Sequence, residues 1–321
     1  MKIRPLALPF IAAIVGALVS SCTSVAPSAA TGAAPAPLVP HVILIGVDGL
    51  SPLGIQQTET PHLASLVNRG AHTWRARGVM PTSSSPNWAS MIMGAGPEQH
   101  GVTSNDWQPD KFEFPPSMKG PRGIFPTIYG ALREQRPTSH IAIFHDWKDY
   151  ARLTERDMID LIVHPPNDGK TNVGAKLTMA AAVKHLREKK PTLLFVHLDN
   201  VDHAGHQPGW FTEPYLAEVR VADQLIGDLL AALRETGLED RTVVIVTADH
   251  GGKNKGHGGN TMGELEIPWI IAGPGIKRGF TITDPVNTWD TAATLAKLLG
   301  VRPPAAWIAR PVESAFEANA P

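Results

Sequence analysis

Short apolar runs separated by polar turns recur along the chain from residue 41 onward, and their lengths alternate between those of strands and helices. Continuous runs rich in β-branched residues, such as Val243 to Val246, are typical of strands buried in a parallel or mixed sheet. The pattern predicts six strands, at His41 to Val47, Ala71 to Val79, Ile141 to Phe144, Thr192 to Leu198, Val243 to Val246 and Ile267 to Ile271.

Longer segments between these runs carry apolar residues three and four positions apart, which is typical of amphipathic helices. They predict helices at Pro61 to Arg69, Pro126 to Glu134, Lys176 to Glu188, Tyr215 to Leu233 and Thr288 to Leu299. A further helix is predicted from the first turn at Pro86 to Met93. Alternating strands and helices predict an α/β fold, a three-layer sandwich whose central, mostly parallel or mixed sheet is flanked by helices.

The N-terminal segment has the pattern of an export signal. Lys2 and Arg4 precede an apolar run, Leu6 to Val19, that is too short to span a membrane comfortably. The run leads to Cys22, so residues 1–22 resemble a bacterial lipoprotein signal with Cys22 as the lipidation site. A lipid anchor on the periplasmic side of the cell envelope is therefore expected; the alternative is an ordinary secretory signal and a soluble periplasmic protein.

The rest of the chain divides by composition. Residues 23–39 are rich in Ala and Pro and predict a disordered tether, residues 40–313 a single domain, and residues 314–321 a frayed tail. A hydrophobic fraction of 43% supports a sizeable core, and a net charge of −1 gives no electrostatic case for a nucleic-acid duplex as partner. One cysteine excludes an intramolecular disulfide.

Carboxylates and imidazoles follow three of the predicted strands. Asp48 follows the first, Asp202 and His206 follow the fourth, and Asp249 and His250 follow the fifth. Ligands bind beyond the carboxyl ends of strands in open α/β sheets, and Asp with His is a ligand set that suits zinc. Structural alternatives remain for each, such as a turn-capping Asp249 and a surface His250, and Asp199 and His203 compete for the role of Asp202 and His206.

Three serines, Ser83, Ser84 and Ser85, precede Pro86, which favours the first turn of a helix. Free N–H groups at a helix N-terminus attract anions, although a serine there can be a plain N-cap. Taken together, the serines and the strand-end groups predict a two-metal site with a serine nucleophile.

At this point the chain resembles the alkaline phosphatase superfamily and, within it, the nucleotide pyrophosphatase/phosphodiesterase branch. The resemblance covers about residues 41 to 275. Its motifs are Val47-Asp48-Gly49, Pro81-Thr82-Ser83-Ser84-Ser85-Pro86-Asn87, Pro97-Glu98-Gln99-His100-Gly101 followed by Asn105, Asp202-His203-Ala204-Gly205-His206, and Asp249-His250-Gly251, with His257 in the loop that follows.

The resemblance implies an alkaline-phosphatase-like fold and two zinc ions, or another divalent metal. One ion would be held by Asp48, Asp249 and His250 and touch the oxygen of Ser84; the other would be held by Asp202, His206 and His257. Ser84 would form a phosphoseryl intermediate, with Ser85 as the rival nucleophile, and Asn105 would contact the phosphate. The substrate would be a small phosphate ester, including nucleotides, and residues 40–313 would be the catalytic domain.

Other activities of the same superfamily remain as alternatives, chiefly a phosphomonoesterase or a phosphonate hydrolase. A sulfatase needs an arginine four places after its modified residue, where this chain has Trp88, and a non-catalytic binding lipoprotein would not need every site position filled. We expect a preference for diesters, because Gly78 to Asp110 contains no lysine or arginine. Asn87 and Asn105 offer only neutral donors there, although Lys253 and Lys255 could reach the site from a neighbouring loop.

Overall fold

The strands form one mixed sheet of eight members within residues 34–166 and 172–318, the part of the chain that the structure, a computed structural model, describes. All six predicted strands are present, and two short strands were not predicted. In chain order the strands are β1 (His41–Val47), β2 (Gly70–Arg77), β3 (Ile141–His145), β4 (Leu161–Val163), β5 (Leu193–Leu198), β6 (Thr242–Thr247), β7 (Glu266–Ala272) and β8 (Phe280–Thr281).

The order across the sheet is β4-β3-β5-β1-β6-β7-β2-β8. The strands β4, β3, β5, β1 and β6 are parallel, whereas β7 is antiparallel to both of its neighbours. Nearly every residue of β1, β5 and β6 is buried, as their continuous apolar runs predict for strands covered on both faces. Their carboxyl ends therefore lie side by side at one edge of the sheet.

Ten α-helices accompany the sheet in the described ranges. They are α1 (Pro52–Gln56), α2 (Pro61–Arg69), α3 (Ser84–Met93), α4 (Pro97–His100), α5 (Ile128–Gln135), α6 (Val173–Lys189), α7 (Asn200–His206), α8 (Glu213–Glu235), α9 (Met262–Leu265) and α10 (Asp290–Leu299). Helices α2 and α6 pack on the sheet and against α8, while α10 packs against β1, α3 and α5. The two helix layers confirm the predicted three-layer sandwich.

Two predicted helices begin two residues later than expected: α5, predicted from Pro126, and α10, which was predicted from Thr288 and begins at Asp290. The prediction starts a helix at Pro126, but α5 starts at Ile128 because the Thr127 side chain caps it, accepting hydrogen bonds from the backbone N–H groups of Tyr129 and Gly130. Pro126 therefore precedes the N-cap.

The packed domain extends beyond the predicted limits of 40 and 313. The N–H of Leu38 donates to the carbonyl of Leu298 at 2.9 Å, and Val39 is buried. At the other end Phe316 is buried and pairs with Ile276. These apolar side chains cover the core, which composition alone does not reveal. The predicted signal, Cys22 and most of the tether lie outside the described residues; within them, no helix is long and apolar enough to cross a bilayer.

Candidate metal centre and nucleophile

The three central strands bring the predicted ligands together. Asp48 follows β1, Asp249 and His250 follow β6, and Asp202 and His206 lie on α7, directly after β5. Because β5, β1 and β6 are parallel neighbours, their carboxyl ends deliver these side chains to one place. His257 joins them from the loop after β6.

The first cluster is completely enclosed. Asp48, Asp249 and His250 are each at most 1% exposed, and one ligand atom from each lies within 4.8 Å of the others. The Nε2 atom of His250 is 3.4 Å from Asp48 Oδ1 and 3.2 Å from Asp249 Oδ2. We name this set the first cluster.

The second cluster consists of Asp202, His206 and His257, whose ligand atoms also lie within 4.8 Å of one another. Asp202 and His206 are one helical turn apart on α7, and His206 Nε2 lies 3.3 Å from Asp202 Oδ2. His257 Nε2 lies 3.1 Å from His206 Nε2. The rings of His250 and His257 stack with centroids 3.7 Å apart, so the two clusters adjoin.

Each of the three imidazoles is held in the orientation that a metal ligand needs. The Nδ1 atoms of His206, His250 and His257 face the backbone carbonyls of Lys255, Gly251 and Thr82 at 3.1, 2.8 and 2.9 Å. A carbonyl oxygen only accepts hydrogen bonds, so each Nδ1 must be the donor. The Nε2 atoms consequently point into the clusters, an arrangement common among metal-binding histidines.

Each of the three carboxylates has one buried oxygen without a hydrogen-bond partner, and in Asp48 and Asp249 the other oxygen is held by hydrogen bonds. Asp48 Oδ2 accepts from Trp88 Nε1 at 3.1 Å and from His197 Nε2 at 3.2 Å, and Asp249 Oδ1 accepts from the N–H of Gly49. The buried oxygens Asp48 Oδ1, Asp202 Oδ1 and Asp249 Oδ2 have no hydrogen-bond partner among the described residues. Burying a carboxylate oxygen without a hydrogen bond costs free energy unless a cation lies beside it.

Electrostatics also indicate that cations belong here. Burial, followed by the negative charges of Asp48 and Asp202, raises the pKa of Asp249 well above its usual value. Burial and the negative charge of Asp48 likewise raise the pKa of Asp202, although the neighbouring His206 lowers it. Divalent cations would relieve this repulsion, and the oxygen and imidazole donors fit zinc.

Close packing positions Asp48. A Cβ at Gly46 on β1 would meet the Trp88 ring at 2.4 Å, so only glycine lets the indole lie over the strand. From there Trp88, which is fully buried on α3, donates to Asp48. Trp88 thus packs over β1 and positions Asp48, and it occupies the position where a sulfatase would carry arginine.

Ser84 is the first residue of α3, and its Oγ lies 3.4 Å from His250 Nε2. Ser85, the rival nucleophile, is fully buried, and its Oγ accepts a hydrogen bond from Arg152 Nη2 at 3.0 Å. The structure therefore brings Ser84, and not Ser85, beside the first cluster.

The two asparagines differ in what they can offer a substrate. Asn105 Oδ1 accepts from the N–H of Ser85 at 2.8 Å, which turns its amide nitrogen away from that bond. Asn87 Nδ2 faces the backbone carbonyls of Val79, Pro81 and Ser83, so the prediction that Asn87 is a donor for substrate is wrong. Its amide instead fixes the loop that precedes Ser84.

Two neighbours of the site were not predicted. Arg152 follows β3 on a short 3-10 turn and reaches α3, which no sequence motif signals. Arg152 thus brings a cation beside the serines from outside Gly78 to Asp110, the stretch on which the expected diester preference was based. His197, near the end of β5, forms a third group with Asp48 and Asp199, but its Nε2 already faces Asp48 Oδ2. Asp199 and His203 were the rivals of Asp202 and His206 as metal ligands. Asp199 belongs to this third group, whereas His203 lines a pocket of about 300 Å³ with Asn172, Asn200 and Glu218.

Comparison with known proteins agrees with this geometry. A model of the type I phosphodiesterase/nucleotide pyrophosphatase family matches residues 42–255. Bis(5'-adenosyl)-triphosphatase ENPP4 of Homo sapiens is 25% identical over 224 residues, 67% of this chain and 48% of that protein. Arylsulfatase K of Danio rerio is 35% identical over 106 residues, 29% of this chain and 20% of that protein. The chain thus spans about half or less of these relatives' length.

A solved structure of murine ectonucleotide pyrophosphatase/phosphodiesterase 5, an inactive variant in complex with AMP, superimposes with a TM-score of 0.70 at 15% identity. The match covers 86% of this chain and 100% of that one. At this identity the likeness bears on the fold alone, and it confirms the fold that the motifs implied.

Proposed function

We propose that this chain, which belongs to the type I phosphodiesterase/nucleotide pyrophosphatase family, hydrolyses phosphate esters at a two-metal site through a phosphoseryl intermediate on Ser84. The substrates proposed are phosphodiesters or nucleotide pyrophosphates. The observation that carries the proposal is the Ser84 hydroxyl, 3.4 Å from the Nε2 of His250, at the N-terminus of a helix and beside two adjoining Asp/His clusters.

Asp48, Asp249 and His250 would hold one metal ion, and Asp202, His206 and His257 would hold the second. Two bound divalent ions, zinc by the donor set, supply Lewis-acid stabilisation of the attacking and leaving oxygens of an in-line displacement. Other groups of the chain orient these ligands. Backbone carbonyls hold the three imidazole rings, and Trp88 and His197 hold the carboxylate of Asp48.

Ser84 Oγ is the attacking atom. Its O–H bond breaks and the proton passes to solvent water, a bond forms from Oγ to phosphorus, and the bond from phosphorus to the leaving oxygen breaks, so that the leaving group departs and takes a proton from water. Water then attacks phosphorus, the bond from phosphorus to Ser84 Oγ breaks, and Oγ takes up a proton, which restores Ser84 and releases the phosphate or, from a diester, the phosphate monoester. The amide nitrogen of Asn105 and the N-terminus of α3 are suited to bind the spare phosphoryl oxygens during both steps.

A sulfatase is the competing reading that one relative favours, since the 106 matching residues of arylsulfatase K are 35% identical. Trp88 argues against it, because its ring fills the space over Gly46 and its Nε1 donates to Asp48. A phosphomonoesterase of the same superfamily remains the alternative within phosphate chemistry.

The proposal is tested by trapping the intermediate. Zinc-loaded protein is mixed with bis-p-nitrophenyl phosphate and quenched with acid, and its peptides are analysed by mass spectrometry. We expect Ser84 to carry a p-nitrophenyl phosphoryl group, since the first step releases only one p-nitrophenol, and we expect a fall in kcat of at least about 10³-fold in Ser84→Ala.

Ser83→Ala is the matched control, because the neighbouring Ser83 side chain makes no capping bond to α3. It should retain activity within about threefold, because Ser83 is half-buried and its hydroxyl does not cap the helix. Phosphate on Ser85, or a Ser84→Ala variant that still turns over, would refute the assignment of the nucleophile.

A further inference from the structure

We propose that Arg152 recognises the second negative charge of a dianionic phosphoryl group at this site, and so sets the ratio of monoester to diester hydrolysis. This inference rests on the proposed function and specifies its substrate class. It assigns a specificity-determining role to a residue that lies outside every motif of the site.

The position of Arg152 is the first argument. Its Nη2 donates to Ser85 Oγ at 3.0 Å and also to the backbone carbonyl of Asn105. The N–H of Ser85 in turn donates to Asn105 Oδ1 at 2.8 Å. The guanidinium therefore lies against both the residue that follows Ser84 and the asparagine proposed to contact the phosphoryl group.

The second argument is that the guanidinium is held in place before any substrate arrives. Its Nη1 lies 3.3 Å from Asp149 Oδ1, the guanidinium carbon lies 5.6 Å from the centre of the Trp147 ring, and the side chain is only 12% exposed. A group ordered in advance loses little conformational entropy when it binds a ligand.

The third argument is the distribution of partners around the guanidinium. Asp149 takes Nη1, and the exposed Asp106 contributes a more distant negative charge. The partners of Nη2 are a neutral hydroxyl and a neutral carbonyl, and the buried Nε has no hydrogen-bond partner among the described residues. Both N–H groups of Nη2 are thus used by neutral acceptors, and an anionic phosphoryl oxygen, which binds a charged donor more strongly, would displace one of them.

The chemistry of the substrate gives this charge a consequence. A phosphate monoester at mildly alkaline pH is a dianion with a spare charged oxygen, whereas a diester is a monoanion whose corresponding oxygen carries a substituent. Charged donors bind anionic oxygens more strongly than neutral amides do, and arginine does so with a planar fork. Since Gly78 to Asp110 contains no lysine or arginine, Arg152 supplies the charge that this stretch lacks.

The test compares kcat/KM for p-nitrophenyl phosphate and bis-p-nitrophenyl phosphate, at one pH with zinc present. Arg152→Gln should lower monoester turnover at least tenfold more than diester turnover. Arg152→Lys keeps the charge and should hold the ratio within about threefold, even where lost positioning lowers both rates. The control Arg156→Gln removes an exposed charge four residues away and should leave the ratio unchanged.

If Arg152→Gln lowers kcat/KM equally for both esters, Arg152 is a positioning residue and the proposal is overturned. An unchanged kcat/KM for the monoester would also overturn it. Should Arg152→Gln fail to fold, a collapsed ratio in Arg152→Lys would overturn it in the same way.

A binding measurement separates this inference from the proposed function. Inorganic phosphate is titrated calorimetrically into zinc-loaded Ser84→Ala and into the double variant Ser84→Ala with Arg152→Gln. We expect at least tenfold weaker binding by the double variant, and equal affinities would overturn the role of Arg152. Wild-type protein that cleaves neither ester would count against the proposed function, while the phosphate affinities would still decide the role of Arg152.

Discussion

Thr82 joins the loop that carries the nucleophile to the loop that carries His257. Its carbonyl faces His257 Nδ1 at 2.9 Å, its hydroxyl donates to the carbonyl of Gly259 at 2.9 Å, and the same hydroxyl accepts from the N–H of Gly258 at 3.0 Å. One fully buried residue thus fixes both the ring orientation of His257 and the backbone beside it.

We predict that Thr82→Val, which keeps the shape but removes the hydroxyl, weakens zinc binding at the second cluster by about tenfold or more. Loss of such outer contacts typically costs 10- to 100-fold in metal affinity. The measurement is competition with a chelator of known zinc affinity, and Thr82→Ser, which retains the hydroxyl, is the control. Equal zinc affinities for wild type and Thr82→Val would show that the contact does not support His257.

At the scale of single residues, the sequence indicated candidate ligands more readily than their surroundings. Asp48 and Asp249 could be proposed because each follows a buried strand, and the resemblance to a known family added His257. Asn87 and Arg152 could not be assigned correctly, because their roles depend on which backbone carbonyl or hydroxyl lies within 3 Å of them. That proximity results from tertiary packing, and it produces no recognisable pattern in the local sequence.

At the scale of elements, α3 connects the nucleophile to the interior through His100. His100 Nδ1 accepts from the N–H of Val102 at 3.0 Å, and its Nε2 consequently donates to Ser90 Oγ, on α3, at 2.9 Å. Burial lowers the pKa of His100 to about 3 from its usual 6.5. The folded protein therefore keeps this ring neutral where the unfolded chain would take up a proton.

We predict a specific pH dependence of stability from this ring. The unfolded state binds the additional proton between pH 6.5 and 3, so the contribution is complete above pH 6.5 and falls with pH below it, by up to about 1.4 kcal/mol per pH unit. Urea unfolding at pH 5, 6 and 7 should show a shallower pH slope for His100→Gln than for wild type. Identical slopes would contradict the neutral, buried state of His100.

Elements with strong apolar patterns were predictable, and short ones at the margins were not. The strands β1, β5 and β6 are continuous apolar runs, whereas β8 has two residues and β4 only three. Helix α9 has four residues and is held by a capping box between Thr261 and Glu264. Such short elements contain only one to one and a half periods of their pattern, which is too little to recognise, so tertiary contacts decide them.

At the scale of the whole molecule, the site exists because of strand order. The segments that end at Val47, Leu198 and Thr247 are distant along the chain but adjacent in the sheet. The sequence predicted three ligand-bearing strand ends, and the resemblance to a known family grouped them into two metal sites. The hydrophobic pattern could not predict the strand order, because the sequence of a strand does not specify which strands lie beside it in the sheet.

The central claim is that two metal ions occupy the two clusters, and anomalous diffraction at the zinc edge tests it most directly. Crystals of zinc-reconstituted protein should give two anomalous peaks per chain, each about 2.0–2.2 Å from its nitrogen and oxygen ligands. One peak is expected among Asp48, Asp249 and His250, and the other among Asp202, His206 and His257. A single peak, or a peak held by Asp48, His197 and Asp199 instead, would contradict the account.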